Sequence, residues 1–185
     1  MEKSNKRNTR SPEAKRATSI GSEREFDQQI IDIARVTRVM AGGKRMRFRA
    51  CIVIGDHNGK VGSAVAKGAD VTLAVNKAVT KAKKNLISVP IVNETIPHRV
   101  DVKYGAAKIL LKPAPKGTGI IAGGAVRAVL DLAGVSNVVA KILGTNNKIN
   151  NVKASIEALR MLKRIEPKKT ETKNNKEGDK KEDKK

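Results

Sequence analysis

Alternation of apolar and polar positions is the clearest signal in this chain. Met46, Phe48, Ala50, Ile52 and Ile54 take every second position, interleaved with Arg45, Arg47, Arg49, Cys51 and Val53. Side chains two apart share one face of a strand. The segment therefore predicts a strand with one apolar face and one face that begins basic. Gly55-Asp56-His57-Asn58-Gly59 is a turn cluster, and it predicts a hairpin into a strand over Lys60–Ala66. Upstream, Ile30–Val39 alternates only in part and reads as a further strand, punctuated by Gly42-Gly43. Downstream the period changes. Val71, Ala74, Val75, Ala78, Val79 and Ala82 recur at helical spacing, which predicts a helix capped by Asp70 and running to about Leu86.

Pro90 and the Asn93-Glu94 turn close this first block, with a boundary near residues 90–97. The second block predicts strands at His98–Lys103 and Lys108–Pro113, a glycine-rich turn over Gly117–Gly124 and a helix over Gly124–Ala133. A strand at Asn137–Leu143 and a helix at Asn147–Arg164 complete it. The class is α+β in two small domains, with expected extents of 26–93 and 94–165. Residues 1–25 read as a disordered basic arm and 166–185 as a disordered charged tail, because neither has enough apolar surface to offset ordering entropy.

Charge turns this architecture toward polyanions. Lys and Arg number 39 against 18 acids in 185 residues, a formal charge of +21. The tails hold little of it: residues 27–167 carry 24 basic and 9 acidic groups. A folded body that basic points to phosphates. Aromatics are confined to Phe26, Phe48 and Tyr104, so base stacking is not the expected contact, and shape reading of folded RNA fits better. The candidate phosphate contacts are Arg38, Lys44, Arg45, Arg47, Arg49 and Lys60 in the hairpin, and Lys77, Lys81 and Lys84 along one helix face without an acid between them.

Catalytic chemistry is thin. Gly117-Thr118-Gly119-Ile120-Ile121-Ala122 matches a loose dinucleotide pattern, but no acidic residue follows at the required distance and no Gly-Lys-Ser/Thr follows either. His57 and His98 lie far apart, the acids are scattered, and Cys51 stands alone in an apolar run as a buried, inert thiol. No metal, cofactor or catalytic residue is expected. No apolar run nears the ~18 residues that span a membrane, and the first residues lack a signal-like apolar core, so a cytoplasmic location is expected. Two rival readings are a phosphate-ester enzyme built on the glycine-rich turn and a free nucleic-acid chaperone.

Longer strings carry a family resemblance. Gly55-Asp56-His57-Asn58-Gly59-Lys60-Val61-Gly62, Ala82-Lys83-Lys84-Asn85-Leu86-Ile87 and Thr95-Ile96-Pro97-His98 occur in order. Leu110-Leu111-Lys112-Pro113-Ala114-Pro115 follows, then the run Gly117–Leu130 and Ile156-Glu157-Ala158-Leu159. Over about residues 30–165 the chain resembles bacterial small-subunit ribosomal protein five. The resemblance implies an N-terminal domain similar to double-stranded-RNA-binding modules and a C-terminal α+β domain. It implies a structural place in the small subunit, bound to 16S rRNA, beside small-subunit proteins four and eight, bordering the tunnel that mRNA enters, with an influence on decoding accuracy. It places Gly119 and Arg127 at the contact with protein four, and Met40, Ala41, Gly42, Gly43 and Lys44 in a loop near the spectinomycin site. The chain departs from the pattern in a first loop about three residues shorter, in His57 for a glycine, in Ser63-Ala64-Val65-Ala66 for a glycine-bearing string, and in Lys108 and Lys148.

Overall fold

A computed structural model describes residues 26–163. The first sheet is a meander of β1 (Asp27–Met40), β2 (Gly43–Gly55), β3 (Lys60–Gly68) and β4 (Leu86–Ser88), antiparallel throughout, with α1 (Val71–Lys83) between β3 and β4. The second sheet is built from β5 (Val100–Tyr104), β6 (Ala107–Pro113), β7 (Ile120–Ile121) and β8 (Val138–Ile142) in the order β5-β6-β8-β7. Only the β7–β8 pair is parallel. Two helices, α2 (Gly124–Ala133) and α3 (Lys148–Arg160), flank β8 in sequence. The α+β class is the one the periodicity predicts.

Differences from the sequence reading have local causes. The first helix stops at Lys83, and Leu86 belongs to β4 instead. Asp70 stands at the N-cap position, yet its carboxylate makes no capping hydrogen bond. The last helix ends at Arg160, not Arg164. Inside the glycine-rich segment, Ile120-Ile121 forms a short strand. The broken alternation of β1 is a bulge: Ile30 pairs with Ile52, but Asp32 pairs with Cys51. The extra residue turns Asp32 toward the face that carries Arg49 and Cys51.

The burial of β2 explains how the two halves join. From Ala50 to Gly55 every residue is buried, on both faces. Ala50, Ile52 and Ile54 meet Ala74, Ala78 and Ala82 of α1, three alanines that let the helix lie close to the sheet. Cys51, Val53 and Val61 belong instead to a core made with Val126, Val129 and Leu130 of α2 and Val152, Ala158 and Leu159 of α3. The order of layers is α1, first sheet, α2 with α3, second sheet.

A turn clamps this stack. The last carbonyls of a helix lack partners within it; at the end of α2, Gly134 and Val135 cap those of Asp131 and Leu130, and the Asp56–Gly59 turn supplies partners to the final two. The His57 N–H donates to the Leu132 carbonyl at 3.1 Å, and the Gly59 N–H donates to that of Ala133 at 3.0 Å. His57 Nδ1 donates to the Asp131 carbonyl at 2.9 Å, while Nε2 lies 3.2 Å from the Asp27 carboxylate. His57 reaches this position with φ +56°. The Asp56 carboxylate accepts from the N–H groups of Asn58 and Lys60, both at 2.9 Å. Slight burial works against it, but these two donors and the Lys60 charge hold its pKa below the usual carboxylate value. The stabilisation from that group is present above the ordinary carboxylate pKa and is lost as pH falls through the lowered one.

Two glycines permit the contact. A Cβ on Gly55 would sit 2.0 Å from the Leu132 carbonyl oxygen, and one on Gly134 2.0 Å from that of His57. Gly134 also has φ +81° as the α2 C-cap. Beneath the clamp, burial pushes the Cys51 thiol up to about 11, and the nearby Asp32 carboxylate adds to the rise. Gly134→Ala should therefore cost at least about 2 kcal/mol and lower Tm by at least about 5 °C. Iodoacetamide labelling of Cys51 at pH 8 checks it independently. The thiol should be inert in the parent protein and react measurably faster in the variant, as the two sheets part.

Candidate nucleic-acid interface

Beyond the first residues of the shared sheet, β1 and β2 continue as a two-stranded arm. β3 pairs with β2 only from Phe48 onward, so Gly43–Arg47 lacks a strand partner on that side. The arm closes at Ala41-Gly42, between Met40 and Gly43, with Gly42 at φ +84°. Its cations are packed against each other by register: Arg38 stands directly opposite Arg45. Like charges placed so repel, and both side chains are exposed.

Three adjoining grooves run from this arm to α1. Arg38, Arg45, Arg47 and Lys67 line one of about 370 Å³, together with Val36, Thr37 and Met40. Arg47, Lys67, Lys77, Lys81 and Lys84 line a second of about 550 Å³ along the open edge of β3. Arg45, Arg47, Lys67 and Lys77 line a third of about 480 Å³, floored by Met46, Ala69 and Leu73. No acidic side chain among the described residues lines any of them. Arg47 and Lys67 belong to all three grooves and so join them into one basic surface.

The candidates from sequence therefore separate. Arg38, Arg45, Arg47, Lys77, Lys81 and Lys84 converge on this surface. Lys44 sits at the exposed tip, opposite Val39. Arg49 lines none of the three grooves. It lies on the face that turns toward the second half, is half-buried, and reaches Asp32 at 3.4 Å. Lys148 of α3 reaches the same Asp32 at 3.6 Å, so this carboxylate ties both halves. Lys60 lies at the far end of its strand, beside the α2 clamp, roughly 30 Å from Arg47 at ~3.3 Å per residue. Lys67 was missed because a lone lysine ending a strand has no pattern around it.

The glycine-rich segment has an organiser that sequence reading also missed. Asn137 is buried, and its Oδ1 accepts from the N–H groups of Gly117 at 3.0 Å and Gly119 at 3.2 Å. Its Nδ2 donates to Glu94 at 3.4 Å, and Lys116 reaches that same Glu94 at 3.8 Å. Thr95 Oγ1 donates to the Asn137 carbonyl and accepts from the Ala114 N–H. Gly119 has φ +72°, and a Cβ there would meet nothing within 4 Å. Its positive φ alone favours glycine there. Arg127 is exposed in the first turn of α2, with no ion pair among the described residues. Its N–H donates to the Gly123 carbonyl at 2.8 Å. No group of His, Cys, Asp and Glu among the described residues has the arrangement of a metal site.

Comparison with protein families covers most of the chain. The family model for ribosomal protein S5, N-terminal domain, matches residues 26–90. The model for ribosomal protein S5, C-terminal domain, matches residues 102–172. The first sheet, the basic surface, the glycine-rich turn and all of the second sheet but the first two residues of β5 lie within these spans.

Asn137→Ala should release both glycine amides at once. The two amides are only part-buried, so water offsets some of the loss and the change should cost about 1–2 kcal/mol. Hydrogen exchange should show protection lost at Gly117 and Gly119 while α1 amides keep theirs; retained protection at both glycines would refute the role given to Asn137.

Proposed function

The chain belongs to the ribosomal protein S5 family, and from that premise we propose that its arm and first helix hold folded 16S rRNA. The family is a structural, non-enzymatic, RNA-binding component of the small ribosomal subunit, and it works in translation. That membership removes the enzyme reading of the glycine-rich turn. One observation carries the finer proposal: Arg45, Arg47, Lys67, Lys77, Lys81 and Lys84 share a surface that no acid among the described residues lines. Cations kept so close repel one another until a polyanion neutralises them. Binding then releases condensed counterions. With so few aromatics, recognition runs through backbone phosphates, 2′-hydroxyls and helix shape rather than through stacked bases.

In this reading Met40–Lys44 forms the loop near the spectinomycin site, where the tight Ala41-Gly42 turn fixes its reach. Gly119 and Arg127 meet small-subunit protein four, and protein eight is a second neighbour. The protein borders the tunnel that mRNA enters and influences decoding accuracy. Arg127 supports a partner of opposite charge there, because a cation in the first turn is disfavoured by the helix dipole and needs compensation.

Binding to folded 16S rRNA should be steeply salt-dependent. Contact with about 6–10 phosphates predicts a loss of ~10³–10⁵ in affinity between 50 and 200 mM salt. Replacing Arg45, Arg47 and Lys67 by Ala should make that slope shallower by about 2–3 units with unchanged circular dichroism. Arg49→Ala should instead lower Tm, since it leaves Asp32 half-buried with one partner fewer, and should leave the slope nearly untouched. Filter binding across a salt series decides, and equal slopes in parent and triple variant would count against the groove.

Arg127→Glu and Gly119→Asp should raise miscoding in cells whose sole copy carries the change, with the protein still folded. A stop-codon readthrough reporter measures this. Parental readthrough together with parental subunit assembly in both variants would rule out the contact.

A further inference from the structure

The second sheet has one face covered by α2 and α3 and one face open. Alternation puts Lys103 of β5, Lys108, Leu110 and Lys112 of β6, and Val139 and Lys141 of β8 on the open face. Their neighbours in sequence, Val102, Ile109, Leu111 and Ala140, point inward and are buried. All four lysines are exposed, with Leu110 and Val139 half-buried between them. Lys103 stands directly opposite Lys108 in the β5–β6 register. A sheet gains nothing from that pairing, because like charges directly opposite are destabilising. None of the four forms an ion pair among the described residues. The carboxylate of this face, Asp101, is already held by Arg99 at 2.9 and 3.1 Å. The four charges are therefore uncompensated within the described fold.

The size of the face selects its occupant. Three strands ~4.8 Å apart and about five residues long give a patch of roughly 15 by 15 Å. A stable protein interface covers ~800 Å² on each partner, several times more. Phosphate contact needs only cations at intervals, and each contributes through counterion release. Lysine stems also lie naturally over half-covered apolar residues with the ammonium outward.

We propose that this open face is a second RNA-binding surface, which takes the sugar-phosphate backbone of an RNA segment other than the one in the arm and α1 groove. The order of layers separates the two. α1 lies at one end of the stack and the open face at the other, with the first sheet, α2 with α3, and the second sheet between. Each layer is about 10 Å thick, so the lysines of α1 stand roughly 30 Å from the open face, while Arg45, Arg47 and Lys67 flank the first sheet between them. The protein then sits between two RNA segments and sets their separation by its own thickness.

The full chain with Lys103, Lys108, Lys112 and Lys141 all replaced by Gln tests this, against a variant with the same four replaced by Arg. Both are titrated with folded 16S rRNA over a salt series. The Gln variant should lose about 3 units of salt slope, at ~0.7–0.9 per phosphate contact, and the Arg variant should keep the parental slope. The loss should add to that of the Arg45, Arg47 and Lys67 variant, which reads the other surface separately. A parental slope in a folded Gln variant overturns the proposal. So does a Gln variant that binds RNA normally but drops a neighbouring protein from the assembled subunit, a result that assigns the face to an acidic protein. Should the Gln variant fail to fold, Lys108→Glu keeps the test, since it relieves the repulsion from Lys103. It should still lose at least about one unit of slope, and an unchanged slope there overturns the proposal equally.

Discussion

The architecture depends on how one helix end is finished. The Gly134 and Val135 N–H groups cap the Asp131 and Leu130 carbonyls of α2, but the last two, Leu132 and Ala133, find their donors in the Asp56–Gly59 turn of the other sheet. Unpaired carbonyls there would be buried at a cost, so the helix is complete only when the turn is seated. Seating requires backbone against backbone, and Gly55 and Gly134 are the positions where any side chain would intervene. Once the turn is in place, β2 is covered on both faces. The stretch Ala50–Gly55 of β2 then serves two cores: alanines of α1 above, valines and leucines of α2 and α3 below. The two halves are two sheets on a common middle layer, with β2 as the shared wall.

That arrangement decides which basic residues remain available. Arg45, Arg47 and Arg49 share a spacing and a strand face, yet the sheet's partner covers only the end that holds Arg49. There the guanidinium is drawn to Asp32, and Lys148 joins from α3, so the charge serves cohesion. Two residues further out the same residue type has no such partner and lies on an open groove. A charge of this kind adds little to stability, since exposed ion pairs contribute at most ~1 kcal/mol and these cations lack even that. Their concentration on the arm, the edge of β3 and α1 makes sense as preparation for a polyanion. On the proposed function, binding and cohesion draw on the same residue type two positions apart on one strand.

Much of this was legible in the sequence. The period-two run through β2, the alanine-and-valine helix and the helix after the glycine run are local patterns, and local patterns survive folding. The basic surface was legible in outline, because Arg45, Arg47, Lys77, Lys81 and Lys84 each belong to a periodic stripe. What escaped was everything set by partners distant in the chain. Asn137 looks like an ordinary turn residue until Gly117, Gly119 and Glu94 gather around it. Arg49 looks like its neighbours until the β1 bulge turns Asp32 toward it. Lys60 looks like part of a hairpin cluster until strand length carries it to the far end. The capping of α2 by His57 and Gly59 joins residues more than 70 positions apart, and no spacing rule reports it.

The two-sided burial of β2 also has a meaning during synthesis. Cys51, Val53 and Val61 emerge early, while α3, which completes their cover, ends only at Arg160. At about 5–20 residues per second, roughly 5–20 s pass in which the first sheet has a finished upper face and a bare apolar underside. The nascent chain is exposed to intermolecular pairing for that interval. The strong positive charge of the arm and α1 lies on the same emerging segment and opposes the close approach of a second copy.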